Sequence, residues 1–303
     1  MEKRYLVDLH THLTEKKIDP LKWWDAVKEK KLCAVAITEH SEYNPKLAFE
    51  KLNEIKPKNI ILIPGMEANT TAGHLLIYGK NEKLYDLKEL QQINVPIETA
   101  LKIIKKENLM ASFAHPYGYK TDSTCSIIGE KKSIELLKKY EIGSEYYNGM
   151  LGSANDFIFG TQWVKKLYNF FDFVSKNKIG KKIRISKKSF IIKNKLGEIS
   201  EETFERVKKG IEFSEHAKYI TVGSDAHYPR VIGAAIIELK RKPKNNADLL
   251  KLLKNKSIKW AGPNIYSNQP VDKLKKKELL EGLKYITKTK IKKKIKLKRK
   301  NKK

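Results

Sequence analysis

Short runs of apolar and β-branched residues alternate along this chain with longer stretches of helical periodicity. This alternation favours βα units and a largely parallel sheet, because parallel strands need long crossover connections. Seven strands are predicted, at 5–9, 34–38, 60–64, 74–78, 110–114, 143–147 and 219–223. The clearest predicted helices cover 21–31, 97–107, 133–140 and 201–216. Seven strands with intervening helices can close on themselves, so we expect an α/β barrel.

Residues 155–197 interrupt this pattern. They combine an aromatic-rich helical stretch with a basic segment, and we interpret them as an insertion into a barrel that covers 1–240. A helical extension is predicted over 241–272. Residues 273–303 form a lysine-rich tail that we expect to be partly disordered.

The net charge of +28 is concentrated in two segments. Residues 164–195 contain 11 Lys or Arg and one Asp, and residues 273–303 contain 16 Lys or Arg and two Glu. One interpretation is that these segments are solvated surfaces of a lysine-rich protein. The other is that their charge attracts a polyanion, such as RNA, DNA or an anionic membrane surface. RNA or DNA binding through the two segments therefore stays open as an alternative.

Several classes of protein are disfavoured by the sequence. Cys33 and Cys125 form no CxxC pair, which argues against a disulfide framework and a thiolate zinc site. The charged N-terminus is followed directly by a predicted strand, and the apolar stretch and cleavage site of a secretory leader are not seen there. No apolar run approaches the roughly 18 residues of a membrane span. We expect a cytoplasmic protein that is not inserted into a membrane, and the sequence does not predict its oligomeric state.

The histidines carry most of the functional information. Six of the seven adjoin a predicted strand, whereas His216 ends a predicted helix and is excluded from the site. Strand ends of a parallel barrel open onto one rim, so residues that are remote in sequence converge there. His10 and His12 are two apart on an extended segment and leave it on one face, as chelation of one ion requires. Imidazole and carboxylate together suit zinc, manganese or iron.

Seven motifs occur in order over residues 8–227: DLHTH, TEH, GME, GHLLIYG, AHP, EYYN and GSDAH. Together they resemble the polymerase and histidinol phosphatase (PHP) superfamily. The resemblance implies a distorted seven-stranded, TIM-like (β/α)7 barrel with a centre of two or three divalent transition-metal ions. It also implies an enzyme that hydrolyses phosphate esters through a hydroxide bridging the ions. No phosphate-binding loop, dinucleotide fingerprint or nucleophile elbow is present, so no cofactor beyond metal is expected.

The resemblance also implies roles for individual residues. It assigns one ion to His10, His12, Glu67 and Asp225. It assigns a second ion to Glu67, His74 and His115. Glu67 then bridges the two ions, and its negative charge offsets the repulsion between them. Glu39, His40 and His227 complete the set of candidate ligands.

The third ion is an open question in the sequence. His40 and His227 match the positions that hold it in trinuclear members, but the usual TDH motif contains Glu39, and the loop after His12 departs from the usual pattern. Either Glu15 or Asp19 supplies the missing carboxylate, or both are ordinary loop acids.

The predicted catalytic residues are Glu67, Asp225, His227 and Arg230. An arginine at position 230 could bind a phosphate with two hydrogen bonds or be a surface residue. Residues interpreted as support for the ligands are Asp8, Glu145, Asn148 and Ser224, with Asp8 expected to accept the free ring proton of a ligating histidine.

The expected substrate is a phosphorylated small molecule, a nucleotide or a nucleic-acid end. One alternative is a catalytically silent nucleic-acid-binding or accessory module, which the nearly complete ligand set disfavours. Another is an amidohydrolase-like metal hydrolase, which the arrangement of the motifs fits poorly.

Overall fold

The computed structural model describes residues 3–118, 120–152, 173 and 202–267. The chain divides into two units, Met1–Ala154 with Asn194–Val271 and Asn155–Lys193 with Asp272–Lys303. All described residues except Phe173 belong to the first unit. Apart from Phe173, the basic segment 164–195 and the tail 273–303 lie outside the described residues. The predicted division into barrel, insertion, extension and tail stays a prediction.

One nine-stranded sheet organises the described residues. Its strands are β1 (Leu6–Asp8), β2 (Leu32–Ile37), β3 (Ile61–Thr70), β4 (Gly73–Tyr78), β5 (Met110–Phe113), β6 (Gly143–Asn148), β7 (Ile220–Gly223), β8 (Ala235–Leu239) and β9 (Ile258–Pro263). The α-helices are α1 (Pro20–Glu29), α2 (Pro45–Glu54), α3 (Ile97–Lys106), α4 (Thr124–Ile128), α5 (Glu130–Tyr140), α6 (Gly149–Gly152), α7 (202–214) and α8 (Asn246–Lys254). Short 3₁₀ turns cover Ser41–Tyr43, Glu82–Asp86, Lys88–Gln91 and Pro229–Val231.

The strands lie in the order β7-β6-β5-β4-β3-β2-β1-β8-β9. Strands β1 to β3 are parallel to one another, as are β5 to β7. Beyond β1, the backbone approaches the far edge of the sheet, because Leu9 N donates to Val222 O (3.2 Å) and His12 N donates to Ala226 O (3.0 Å). The sheet is therefore barrel-like and nearly closed. This confirms the prediction of a barrel-like α/β architecture.

Two features of the sheet differ from the prediction. Strand β4 is antiparallel to both neighbours, because only Thr71 and Ala72 separate it from β3 and so short a turn can form only a hairpin. Strands β8 and β9 extend the sheet beyond β1. They were not predicted, because the segment between β7 and β8 contains a 3₁₀ turn and no α-helix, which breaks the alternation on which the prediction depends.

Helix starts follow from local sequence. The Asp19 carboxylate accepts a hydrogen bond from Leu21 N (2.9 Å) and caps α1, which opens with Pro20. Asp19 therefore has a structural role at a helix terminus. No helix among the described residues is long and apolar enough to cross a membrane.

The apolar core continues from the barrel into the C-terminal part of the first unit. Residues of the strands, such as Val7, Ile63 and Leu76, share one buried cluster with four leucines of α8. Those leucines are Leu249, Leu250, Leu252 and Leu253. The helix predicted in the 241–272 extension thus packs into the same core as the strands.

Candidate metal centre

Glu67 lies within β3 and its side chain is fully buried. Its Oε2 atom lies 3.2 Å from His10 Nε2 and 3.5 Å from His12 Nε2. Asp225 Oδ1 approaches the same two nitrogens, at 3.5 Å and 3.2 Å. Two imidazoles therefore meet both the Oε2 atom of Glu67 and the Asp225 carboxylate. Together these are the four residues predicted for the first ion.

The other oxygen of Glu67 meets a separate pair of histidines. Glu67 Oε1 lies 2.8 Å from His74 Nδ1 and 3.0 Å from His115 Nε2. These are the residues predicted for the second ion. His40 also lies close to Glu67, with its Nδ1 atom 3.1 Å from Oε2.

The antiparallel direction of β4 explains why His74 reaches this site from a strand start. Strand β4 begins where β3 ends, and His74 is paired with Asn69 across the hairpin. The first residues of an antiparallel strand thus share a rim with the last residues of its parallel neighbours. His74 therefore meets Glu67 although it begins its strand.

His10 and His12 flank Thr11, which fixes the backbone between them. Thr11 N donates to Thr38 Oγ1 (3.1 Å), and Thr11 Oγ1 donates to Ala36 O (2.6 Å). Side chains alternate along an extended segment, so Thr11 turns away while both histidines face the site.

Two predicted ligands have a left-handed backbone. The φ angle is 27° at His115 and 54° at Asp225. A non-glycine residue with positive φ is uncommon, and such conformations cluster at functional sites. The unfavourable backbone here coincides with two side chains that face Glu67 and the histidines of the centre.

A third group of side chains lies beside the first. His227 Nε2 is 2.8 Å from Glu15 Oε2, and His40 Nε2 is 3.8 Å from the same oxygen. Ligand atoms of Glu15, His12, His40 and His227 are close enough together to hold an ion. The sequence left the role of Glu15 open, and the structure brings its carboxylate to the predicted third-ion histidines. The sequence signal that favours Glu15 as a candidate ligand is its position three residues after His12, in a βα loop at the rim of the barrel.

Glu145 and Asn148 support the ligands from behind. His10 Nδ1–H donates to Glu145 Oε1 (2.9 Å), so that Nε2 is free to face Glu67. Glu145 Oε2 accepts from His115 N (2.7 Å) and from Asn148 Nδ2 (3.0 Å). Asn148 Nδ2 also lies 3.2 Å from Asp225 Oδ2. Carboxylates behind metal-binding histidines fix the tautomer and the ring orientation.

Asp8 has a different position from the expected one. Its carboxylate accepts from the backbone amides of His10 (3.2 Å), Ser224 (2.9 Å) and Gly233 (2.8 Å), and from the Ser224 hydroxyl. The expectation that Asp8 accepts a histidine ring proton is therefore wrong, because His10 donates its Nδ1 proton to Glu145 and the Asp8 carboxylate is occupied by backbone amides and the Ser224 hydroxyl. Burial raises the pKa of Asp8 to about 6, although its hydrogen bonds oppose this shift.

Glu39, a predicted ligand, directs one carboxylate oxygen to the loop backbone, so its ligand role stays a prediction. Its Oε2 atom accepts from backbone amides of the loop after His12, and its Oε1 atom lies 3.4 Å from His12 Nδ1. Arg230 is half-buried, with its guanidinium 5.6 Å from the centroid of the Tyr228 ring. His216 is exposed beyond α7.

The charges of the centre fit divalent cations. Burial opposes ionisation of Glu67, yet the surrounding histidines hold its pKa well below the usual range. His12 Nε2 and Glu15 Oε2 are buried and make no well-aligned hydrogen bond among the described residues, although they lie 3.2 Å from Asp225 Oδ1 and 2.8 Å from His227 Nε2. Buried polar atoms that lack a partner are costly unless an ion or water satisfies them. Nitrogen and carboxylate donors around such atoms suit zinc, manganese or iron.

Metal binding at neutral pH is expected to release protons. Burial would lower the pKa values of His12 and His115, but neighbouring carboxylates, Asp225 and Glu67 foremost, raise them to about 10 and about 9. Both rings are therefore protonated at pH 7 in the metal-free chain, whereas a metal binds neutral imidazole. Affinity should fall as the pH decreases and rise towards the pKa of His12. Calorimetry in buffers of different ionisation enthalpy measures the released protons, with His216→Gln as a control. A binding enthalpy independent of the buffer would contradict this expectation.

Comparisons with known proteins agree with the fold. A family model described as PHP-associated matches residues 212–258, which include β7, the Asp225–His227 motif and α8. The chain is similar to the crystal structure of PsfC from Pseudomonas syringae, with a TM-score of 0.52 and 13% identity over 96% of this chain and 100% of that chain. No curated protein sequence matches it.

A second similar structure is a two-domain protein from Bacteroides vulgatus that contains a predicted PHP-like metal-dependent phosphoesterase. The TM-score is 0.50 and the identity is 16%, over 84% of this chain and 64% of that chain. At these identities the likeness concerns the fold. The PHP-associated family model confirms the resemblance over residues 212–258, and the shared fold agrees with it.

Proposed function

We propose that this chain is a metal-dependent phosphoesterase of the PHP type. The observation that carries the proposal is the fully buried carboxylate of Glu67, whose two oxygens meet two separate sets of histidines. A carboxylate between two imidazole sets is suited to bridge two cations. The fold of the similar Bacteroides vulgatus protein, which contains a predicted PHP-like phosphoesterase, supports the same proposal. We further propose that β1 to β7 form the seven-stranded PHP barrel and that β8 and β9 extend it.

We propose a ligand set for each ion, supported by the contacts among the side chains. The first ion is held by His10, His12, Glu67 and Asp225. The second ion is held by Glu67, His74 and His115. A third would be held by Glu15, His40 and His227, beside the ring of His12. We propose zinc, manganese or iron, because the donors are mainly imidazole nitrogens.

Partly exposed side chains mark the face by which a phosphate reaches the centre. His40, His74 and His227 have side chains that are 16% to 18% exposed, whereas the side chains of His10 and His12 are fully buried. The substrate therefore enters from the side of the three partly exposed rings. When bound, divalent ions lower the pKa of a water molecule and neutralise charge on phosphoryl oxygens.

The chain's own residues orient this chemistry. Glu145 fixes the ring of His10, and Asn148 connects Glu145 with Asp225, so the ligands keep their positions as charge changes at the phosphate. His227 Nδ1 lies 3.0 Å from the carbonyl of Asp225, which fixes its ring at the exposed face. We propose Arg230, three residues further on, as a group that binds the substrate phosphate.

Metal content and turnover test the proposal together. The purified chain, loaded with zinc or manganese, is offered phosphomonoesters, dinucleotides, and RNA and DNA with a 5′ phosphate. We expect two or three ions per chain and release of phosphate or nucleotide, with loss of turnover after chelation and recovery after metal is restored. Full metal content without turnover of any phosphate ester would favour an accessory module. Cyclic amides are offered in parallel, and their hydrolysis without turnover of any phosphate ester would favour the amidohydrolase alternative.

A nucleic-acid end is a second candidate substrate. It is favoured by the concentration of positive charge in 164–195 and 273–303. Lysines that neutralise phosphates make binding weaken steeply with salt. If these segments bind the substrate, deletion of 273–303 should raise the KM for RNA or DNA and flatten its salt dependence. Unchanged kinetics in the deleted chain, with turnover of monoesters only, would eliminate this candidate.

A further inference from the structure

The carboxylate of Glu39 lies buried beneath the loop that follows β1. Its Oε2 atom accepts hydrogen bonds from three successive amides, those of Leu13 (2.8 Å), Thr14 and Glu15 (3.4 Å). Successive backbone amides that converge on one anion form a concave anion-binding site. Burial alone would raise the pKa of Glu39, but His12 and the loop amides lower it to about 2. Glu39 is thus a charged group that the loop backbone recognises.

The loop held in this way carries Glu15. Glu15 Oε2 lies 2.8 Å from His227 Nε2 and 3.8 Å from His40 Nε2. The loop has two further anchors, since the Thr14 hydroxyl donates to Tyr43 O (2.6 Å) and the Leu13 side chain is fully buried. These anchors are neutral, and Glu39 supplies the charged one.

Glu39 is directed away from the third ion position. Its Oε2 atom faces the amides, and its Oε1 atom faces His12 Nδ1 (3.4 Å) and the amide of His40 (3.3 Å). His12 presents its other ring nitrogen to Asp225. Any effect of Glu39 on an ion is therefore transmitted through the loop or through the His12 ring.

We propose that Glu39 is a positioning residue that fixes the backbone of residues 13–15, so that Glu15 meets His40 and His227. In this role it sets the affinity for the third ion without contacting it. The inference rests on the proposed function, because it assumes that the third position binds metal.

The test compares Glu39→Gln and Glu39→Asp with Glu15→Gln, using zinc alone as the probe. The glutamine removes the charge at constant size, and the aspartate keeps the charge but withdraws it by one methylene. Loss of a residue that orients a ligand typically weakens metal binding by about 10- to 100-fold. We expect that weakening for one of three ions in both Glu39 variants, and loss of the same ion in Glu15→Gln. The double variant Glu15→Gln/Glu39→Gln should lose no further ion, because both changes act on one position.

Amide exchange separates positioning from ligation. In the chelated protein, amides 13–15 should exchange at least about tenfold faster in Glu39→Gln than in the original chain, because their acceptor has lost its charge. In Glu15→Gln they should stay protected, although the third ion is lost. Glu98→Gln, on the exposed surface of α3, is the matched control and should change neither measurement.

Each outcome has a defined meaning. Undiminished protection of amides 13–15 in Glu39→Gln, or a third ion bound with full affinity, would overturn the inference. Loss of a second ion in the double variant would also overturn it, because Glu39 would then act on another position. An original chain that holds only two ions would refute both the third position and this inference. An original chain that holds three ions but hydrolyses no phosphate ester would refute the proposed function alone.

Discussion

Glu67→Gln is expected to lose at least one ion per chain and to reduce turnover of every phosphate ester by about a thousandfold or more, equivalent to ~4 kcal/mol in the barrier. The glutamine has nearly the same size, so the change isolates the charge and the second acceptor oxygen. Glu67 is the only described carboxylate that meets both histidine sets, and an amide cannot bridge two dications in the same way. Elemental analysis and steady-state kinetics measure the two effects.

The matched control is Glu42→Gln. Glu42 is an exposed acid on the same side of the barrel, where it accepts a hydrogen bond from Asn69 (2.7 Å). Its substitution should leave the metal content unchanged. Full occupancy and full turnover in Glu67→Gln would show that the bridge has been assigned to the wrong residue.

Gly223→Ala is expected to destabilise the fold by about 3 kcal/mol or more, at the upper end of the usual cost of overpacking. A Cβ atom at Gly223 would lie 2.2 Å from His10 Cβ and 2.4 Å from His10 N. Backbone atoms cannot yield as the end of a flexible side chain can, so the segment that follows β1 and the end of β7 would have to separate at the candidate metal centre. Denaturant unfolding, followed by circular dichroism with and without metal, measures the loss.

The control for this substitution is Gly210→Ala in α7. The nearest heavy atom to a Cβ there is 4.0 Å away. Alanine is favoured over glycine within a helix by about 0.5–1 kcal/mol, so this variant should be as stable as the original chain or slightly more stable. Equal unfolding midpoints for the two alanine variants would contradict the close approach of Gly223 to His10.

The sequence predicted those parts of the fold that depend on local periodicity. Strands β1, β2 and β5 lie close to their predicted positions because short β-branched runs with intervening helices are visible in one dimension. The direction of β4 was missed because it depends on a two-residue turn, which leaves no trace in the alternation of strands and helices. Strand β8 was missed because it depends on pairing with the distant residues Leu6 and Val7, and β9 was missed because it pairs in turn with β8.

The same distinction applies to the candidate site. Histidines near strand ends were identified because barrel geometry brings those ends together. Glu39 and Glu15 could not be assigned in this way, because both are acids near His12 in the folded chain and only the loop conformation separates their roles. The direction of each carboxylate depends on backbone amides and on tertiary contacts, which leave no periodic signal in the sequence.

The seam between Leu9–His12 and residues 222–226 has a consequence for biosynthesis. The proposed first ion position takes two ligands from one side of this seam and Asp225 from the other, so more than 200 residues of chain separate its parts. Contacts this distant in sequence form slowly, because closing so long a stretch of chain costs conformational entropy. On the ribosome, that position cannot form until residue 225 has emerged. Metal binding at the proposed first position is therefore expected only after the segment that follows β1 has met the end of β7.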